Sequence, residues 1–144
     1  VRALGLDLGS RRIGVAVSDS DGRVAVPYEV VVRCGDRDRD RARIVELVEE
    51  TEAEVVVVGL PLSLDGSSGR AAERAEAEVR RLRAVLAVPV TTYDERLTTV
   101  TAERSLREMQ MTGAARRQVV DKVAAAVLLQ GWLDQQAGGG EPTP

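Results

Sequence analysis

Four consecutive valines, Val55–Val58, stand between Glu54 and Gly59. Successive side chains of a strand point to opposite faces, so this run is apolar on both. Such a strand needs cover on either side, which marks an interior strand of an α/β sheet. Upstream, residues 3–8 (ALGLDL) and 13–18 (IGVAVS) read as strands joined by a turn at Gly9–Arg12. A third apolar run, Val24–Val32, is β-branched and interrupted by Pro27, which suits an edge strand or a bulge.

Helical periodicity begins at about Asp38 and runs to Thr51, with Ile44, Leu47 and Val48 on one stripe. A Ser- and Gly-rich loop, Pro61 to Arg70, leads into a helix over Ala71–Ala87, which Ser67 or Ser68 can cap. Its stripe is Ala75, Val79, Leu82 and Leu86. Pro89 stops it before a short strand, Val90–Tyr93. Thr98 or Thr99 can cap a helix to about Met109, and Gly113 breaks it. The last helix runs from Ala114 or Val120 to Gln136, and a tail of residues 137–144 is expected to be disordered. The order β-β-β-α-β-α-β-α-α predicts one α/β domain over residues 1–136. Its mixed five-stranded sheet has an antiparallel three-strand start, then βαβ crossovers, with helices on both faces.

The chain contains no histidine, which removes histidine-based catalysis and most zinc sites. Its one cysteine, Cys34, has no partner for an internal disulfide and reads as a small semi-buried hydrophobe. No apolar run approaches the ~20 residues of a membrane span, and the first segment goes straight into a strand, so a cytoplasmic location is expected. The net charge of −3 argues against bulk electrostatic capture of nucleic acid and leaves room for a local basic patch.

Against this background three carboxylates stand out. Asp7 lies within an apolar strand, flanked on its own face by Gly5 and Gly9. Glu95 follows the Val90–Tyr93 strand, where ligands gather in open α/β sheets. Asp121 shares a helix face with Ala125, Leu128 and Trp132. Each has a plainer reading: a hairpin Asp paired with a nearby Arg, a capped helix start, and a first-turn Asp held by the helix dipole. Convergence of all three makes the oxygen-donor set of a Mg²⁺ or Mn²⁺ phosphodiester-cleaving site. Asp94 is the weaker candidate beside Glu95. Asp134 is too far from Asp121 to replace it, about 20 Å along a helix at ~1.5 Å per residue.

Arginine supplies nearly all the positive charge, since Lys122 is the only lysine. Arg11, Arg12, Arg96, Arg104, Arg107, Arg116 and Arg117 can line a phosphodiester path, and Arg70 can touch a phosphate from the 59–70 loop. Aromatic content of 2% leaves little for base stacking, which favours recognition of backbone or shape.

Four motifs in order resemble the YqgF/RuvX family of the RNase H-like fold. They are D-x-G-x(4)-G-V-A-x-S-D from Asp7, V-V-G-L-P with D-G downstream, D-E-R-L-T-T from Asp94, and D-x-x-A-A from Asp121. The resemblance spans residue 3 to about residue 134. It implies a nuclease whose catalytic and metal-binding acids are Asp7, Glu95 and Asp121, with one or two Mg²⁺ or Mn²⁺ ions, and Arg11, Arg12, Arg70 and Arg96 at the substrate. It also implies nucleic acid as partner. The family is described both as maturing the 5′ end of pre-16S rRNA, the favoured substrate here, and as resolving Holliday junctions in branched DNA. A resolvase makes two symmetric cuts and so implies a homodimer; no membrane partner is expected. The related resolvases carry a second acid three residues along the last helix, where this chain has Ala124.

Two other classes share features with the chain. D-x-G-x(4)-G also opens the actin-like sugar kinases and Hsp70-type ATPases, which need two such domains where this length supplies one. A non-catalytic RNA-binding or ribosome-assembly module is the other, and retention of all three acids argues against it.

Overall fold

The computed structural model describes residues 1–61, 69–95 and 114–138, with the helical backbone alone for 114–120. Five strands are present: β1 (Ala3–Leu8), β2 (Arg12–Ser18), β3 (Ala25–Val32), β4 (Val55–Leu60) and β5 (Val90–Asp94). Helices α1 (Arg37–Thr51), α2 (Arg70–Val85) and α3 (Ala114–Gly138) accompany them. The sheet order is β3-β2-β1-β4-β5. β1 pairs antiparallel with β2 and β2 with β3, whereas β4 runs parallel to both β1 and β5. This is the mixed sheet expected from the element order.

Apolar alternation divides the sheet between two cores. Leu4, Leu6, Ile13, Val15, Val56 and Val58 pack with Ile44 and Leu47 of α1 and with Val79 and Leu82 of α2. Ala3, Ala16, Val57 and Tyr93 pack with Ala124, Ala125, Leu128 and Leu129 of α3. The valine run is thereby shared: Val56 and Val58 turn one way and Val57 the other. Full burial of each such aliphatic side chain contributes about 1.5–3 kcal/mol.

β3 is an edge strand and also carries a bulge. The register of β2 on β3 passes from Val15 opposite Glu29 to Ala16 opposite Pro27, so Tyr28 is the extra residue. Proline has no N–H to give the ladder, and the bulge falls beside it.

Helix ends depart from the sequence reading by a few residues, for local reasons. The Asp36 side chain accepts from the N–H groups of Asp38 and Arg39, so α1 starts at Arg37. α2 has Gly69 at its N-cap with no side-chain cap bond; Ser67 and Ser68 lie outside the described residues. It stops at Val85 rather than Ala87, because Leu86 is already extended ahead of Pro89. α3 starts at Ala114 and continues to Gly138, so the first two residues of the expected tail are helical. The helix expected over 98–109 lies outside the described residues. Cys34 is exposed rather than semi-buried.

α3 lies close on the sheet because glycines clear its path. A Cβ on Gly5 would come within 2.8 Å of the Leu129 Cβ, and one on Gly59 within 3.0 Å of Leu128 Cδ2. At Gly14 a Cβ would sit 2.2 Å from the Asp121 carbonyl oxygen, a clash with backbone that no rotamer relieves. α1 and α2 are tied instead by a buried ion pair, Arg41 Nε to Glu78 Oε2 at 2.8 Å. Arg41 also bridges to Asp38 at 2.9 Å.

Gly14→Ala is therefore expected to destabilise the fold by about 1–3 kcal/mol, the range for overpacking a close contact. Urea unfolding measures this, and an unchanged midpoint would contradict the close seating of α3. Arg41→Ala should cost about 3–5 kcal/mol by leaving a buried carboxylate without its partner. Replacing both Arg41 and Glu78 by leucine should recover most of that loss; a double variant as unstable as the single one would show that the pair is not the cause.

Candidate active site

Strand alternation decides which way Asp7 points. Leu4 and Leu6 belong to the core under α1 and α2, so Gly5 and Asp7 face α3. Across β1–β2, Asp7 is paired with Gly14. Across β1–β4, Leu6 is paired with Val58, and one step further sets Gly59 beside Asp7. Asp7 thus occupies the middle of a row with a glycine on each side.

Another acid lies over each of those glycines. The backbone of Asp121 crosses Gly14. The Glu95 side chain covers Gly59, its Cδ 3.1 Å and its Cγ 3.2 Å from where a Cβ would be. Asp7, Glu95 and Asp121 are 5%, 6% and 8% exposed, well below what unaccompanied carboxylates tolerate. Glu95 reaches this position because β5, parallel to β4, delivers it past Tyr93, the partner of Gly59.

Asp121 is the eighth residue of α3, two turns from the helix start. The dipole effect is confined to the first turn, so the reading of a first-turn acid does not hold. Arg12 accounts for its burial instead, with Nε 2.5 Å from Asp121 Oδ2 and the two side chains 21% and 11% exposed. Arg12, expected at the substrate, is committed to this ion pair.

A cleft of about 870 Å³ opens at the ends of β1 and β5, and Asp7 and Glu95 contribute to its wall. Arg11 lines it as expected, and Asp121 is not among its lining residues. Arg70 is the exposed first residue of α2 and lies outside the lining. Arg96, Arg104 and Arg107 lie outside the described residues, as do the side chains of Arg116 and Arg117. Three arginines that sequence reading overlooked, Arg33, Arg37 and Arg74, line the cleft.

Two further buried acids, Asp40 and Glu78, also reach the cleft wall. Asp40 lies four residues before Ile44 and Glu78 four before Leu82, on the buried stripes of their helices. An acid on an apolar stripe was the signal that singled out Asp121, and it was present here too. Glu78 is matched by Arg41, and Asp40 by Arg33 at 3.7 Å. Tyr93, buried beneath α3, has its phenol pushed above the usual range, mainly by burial and then by Asp134 and Asp94.

Carboxylates are the hard oxygen donors that Mg²⁺ or Mn²⁺ takes, and the chemistry of Asp7, Glu95 and Asp121 fits such a cation. Among the described residues, no three acidic or cysteine side chains are arranged to hold a metal ion as the chain stands.

The strand order and the acids in their row define an RNase H-like nuclease domain. A family model described as "RuvX: Holliday junction resolvase" matches residues 1–135, and the chain belongs to that family. A "Putative pre-16S rRNA nuclease" of Rhodococcus opacus (strain B4) is 50% identical over 140 residues, covering 94% of this chain and 79% of its own. A relative of the same name from Methylocella silvestris is 42% identical over 134 residues, covering 93% and 83%. Among solved structures, Thermus thermophilus RuvC in complex with a Holliday junction substrate aligns with a TM-score of 0.62 at 19% identity, over 96% of both chains. The fowlpox virus Holliday junction resolvase aligns at 0.53 and 10% identity, over 94% of this chain and 99% of its own. These two agree in fold. Family membership makes the chain a nuclease, a hydrolase acting on phosphodiester bonds.

Removing the Arg12 guanidinium leaves Asp121 buried without its partner. Arg12→Gln is expected to lower stability in metal-free buffer by about 2 kcal/mol or more. Calorimetric melting in chelator measures this; a variant as stable as the parent would show that the pair carries no weight.

Proposed function

We propose that the chain is a divalent-metal-dependent endonuclease that processes the 5′ end of precursor 16S rRNA, with Asp7, Glu95 and Asp121 holding the ion. The observation that carries this reading is the glycine-flanked row: Asp7 between Gly14 and Gly59, with Asp121 and Glu95 above them. Burial of three acids has no structural advantage in a sheet-to-helix interface, where apolar residues of like volume would pack at lower cost. The choice of precursor rRNA follows the names carried by relatives at 42–50% identity.

In this mechanism Asp7 is the central ligand, fixed on the innermost strand. Glu95 and Asp121 lie over the glycines on opposite sides of it. The chemistry an ion supplies here is polarisation of the phosphoryl oxygen and acidification of a water for in-line attack. Arg12 compensates the buried charge of Asp121, the residue that would hold the ion together with Asp7 and Glu95. Arg11, at the β1–β2 turn, is placed to meet a non-bridging phosphate oxygen. Arg70 and Arg96 are proposed at the substrate strand on the family resemblance alone.

The test offers a precursor 16S rRNA 5′ fragment and a four-way DNA junction to wild type and to Asp7→Asn, with Mg²⁺ or Mn²⁺. Defined cuts in the RNA that depend on the ion are expected, reduced by at least about 10²-fold in the variant, as for loss of an essential catalytic group. Paired symmetric nicks in the junction alone would reassign the substrate to branched DNA. Cleavage that survives Asp7→Asn, or proceeds in chelator, would remove the proposed site.

A further inference from the structure

The cleft wall nearest α1 and α2 carries more positive charge than its acids use. Arg11, Arg33, Arg37 and Arg74 line it, together with the buried acids Asp40 and Glu78. Asp40 is matched by Arg33, which also donates from Nε to the Gly9 carbonyl at 2.8 Å. Glu78 is matched by Arg41 from α1. These pairs neutralise the buried acids of this wall. The side chains of Arg11, Arg37 and Arg74 form no ion pair among the described residues, and all three residues are exposed.

Helix placement strengthens the same wall. Arg37 is the first residue of α1 and Arg74 stands in the second turn of α2, so both helices present N-terminal ends to the cleft. Helix N-termini favour anions through their free N–H groups and the positive end of the dipole. Asp36 occupies two such N–H groups of α1, whereas Gly69 leaves α2 without a side-chain cap. Among the described residues no aromatic side chain lines the cleft, which leaves them no platform on which to stack a base.

We infer that this wall, through Arg11, Arg37 and Arg74, is the track for the sugar-phosphate backbone of the RNA strand next to the scissile phosphate. The inference rests on the nuclease reading and extends it from the acids to the path of the substrate. Cations without partners, two helix N-terminal ends and an absence of stacking groups together select a repeating anion rather than a base. Arginine forks suit phosphate oxygens, and contacts of this kind fix position while ignoring sequence. The strand passes from the Arg11 turn, by Asp7 and Glu95, toward the N-terminal ends of α1 and α2.

The test uses the full chain with Asp7→Asn as parent, so that binding is read without cleavage. Arg37→Gln and Arg74→Gln are added together, and the control adds Arg80→Gln and Arg81→Gln, which remove equal charge from exposed positions of α2 outside the cleft. Binding of a precursor 16S rRNA 5′ fragment is measured by fluorescence anisotropy from 50 to 300 mM salt with Mg²⁺ present. The cleft variant is expected to bind about tenfold more weakly and to lose about 1.4 from the log–log salt slope, at ~0.7 per single-strand phosphate contact, while the control stays within about twofold of the parent. Equal weakening by control and cleft variants would mean general charge rather than a track, and would overturn the inference. A cleft variant that binds like the parent would also overturn it, leaving the nuclease reading intact if the parent chain with Asp7 restored cleaves the fragment. Failure of the parent itself to bind the fragment would overturn both.

Discussion

Everything at this site depends on how close α3 comes to the sheet. Helix-to-sheet distance is ordinarily set by side chains on both surfaces, and here the sheet contributes glycine at three points. Gly5, Gly14 and Gly59 lie on β1, β2 and β4; a methyl group on Gly5 or Gly14 would clash with α3, and one on Gly59 would press on Leu128. The helix answers with Ala124 and Ala125 near the same contact. Asp121 comes near Asp7 because its backbone rests directly on the glycine that pairs with Asp7. The same absence of bulk at Gly59 gives the Glu95 side chain its place.

Buried acids are the second constraint. Asp7, Asp40, Glu78, Glu95 and Asp121 are all under 9% exposed. A carboxylate so placed must be paired or neutralised. The chain meets this in two ways. Asp40 and Glu78 have arginines from neighbouring segments and belong to the scaffold that joins α1, α2 and the end of β3. Asp121 has Arg12, from the start of β2. The scaffold pairs join the elements of the cleft wall, and the Arg12–Asp121 pair joins β2 to α3.

Much of the architecture was legible from the chain. Val55–Val58 announced an interior strand, Pro27 an edge strand or a bulge, of which β3 is both, and the element order a mixed sheet, because side-chain periodicity is a local property. Asp7 was legible for the same reason: period two set it on a face with Gly5 and Gly9. The two glycines of the D-x-G-x(4)-G motif both stand where backbone comes close: α3 rests on Gly14, and the Arg12 carbonyl oxygen, which accepts from the Gly9 N–H at 2.9 Å, would lie 2.6 Å from a Cβ on Gly9. Helix ends were less legible. Whether α3 began at Ala114 or Val120 changed the meaning of Asp121 from a dipole-stabilised first-turn residue to an acid packed on the sheet.

By itself the sequence determined the five strands, the three described helices to within a few residues, and the family, since each is written in periodicity or in a contiguous motif. Tertiary structure alone decided which charges meet. Arg12 and Asp121 are 109 residues apart, and Arg41 and Glu78 are 37 apart. No local pattern distinguishes Arg12 from Arg11, yet one is bound to an acid and the other opens onto the cleft. Nothing in the sequence marks Arg37 or Arg74; they gain a meaning only when the fold brings the N-terminal ends of α1 and α2 to the same cleft wall. Electrostatic partnership depends on distance through space, and that distance is fixed only when the two cores close around the sheet.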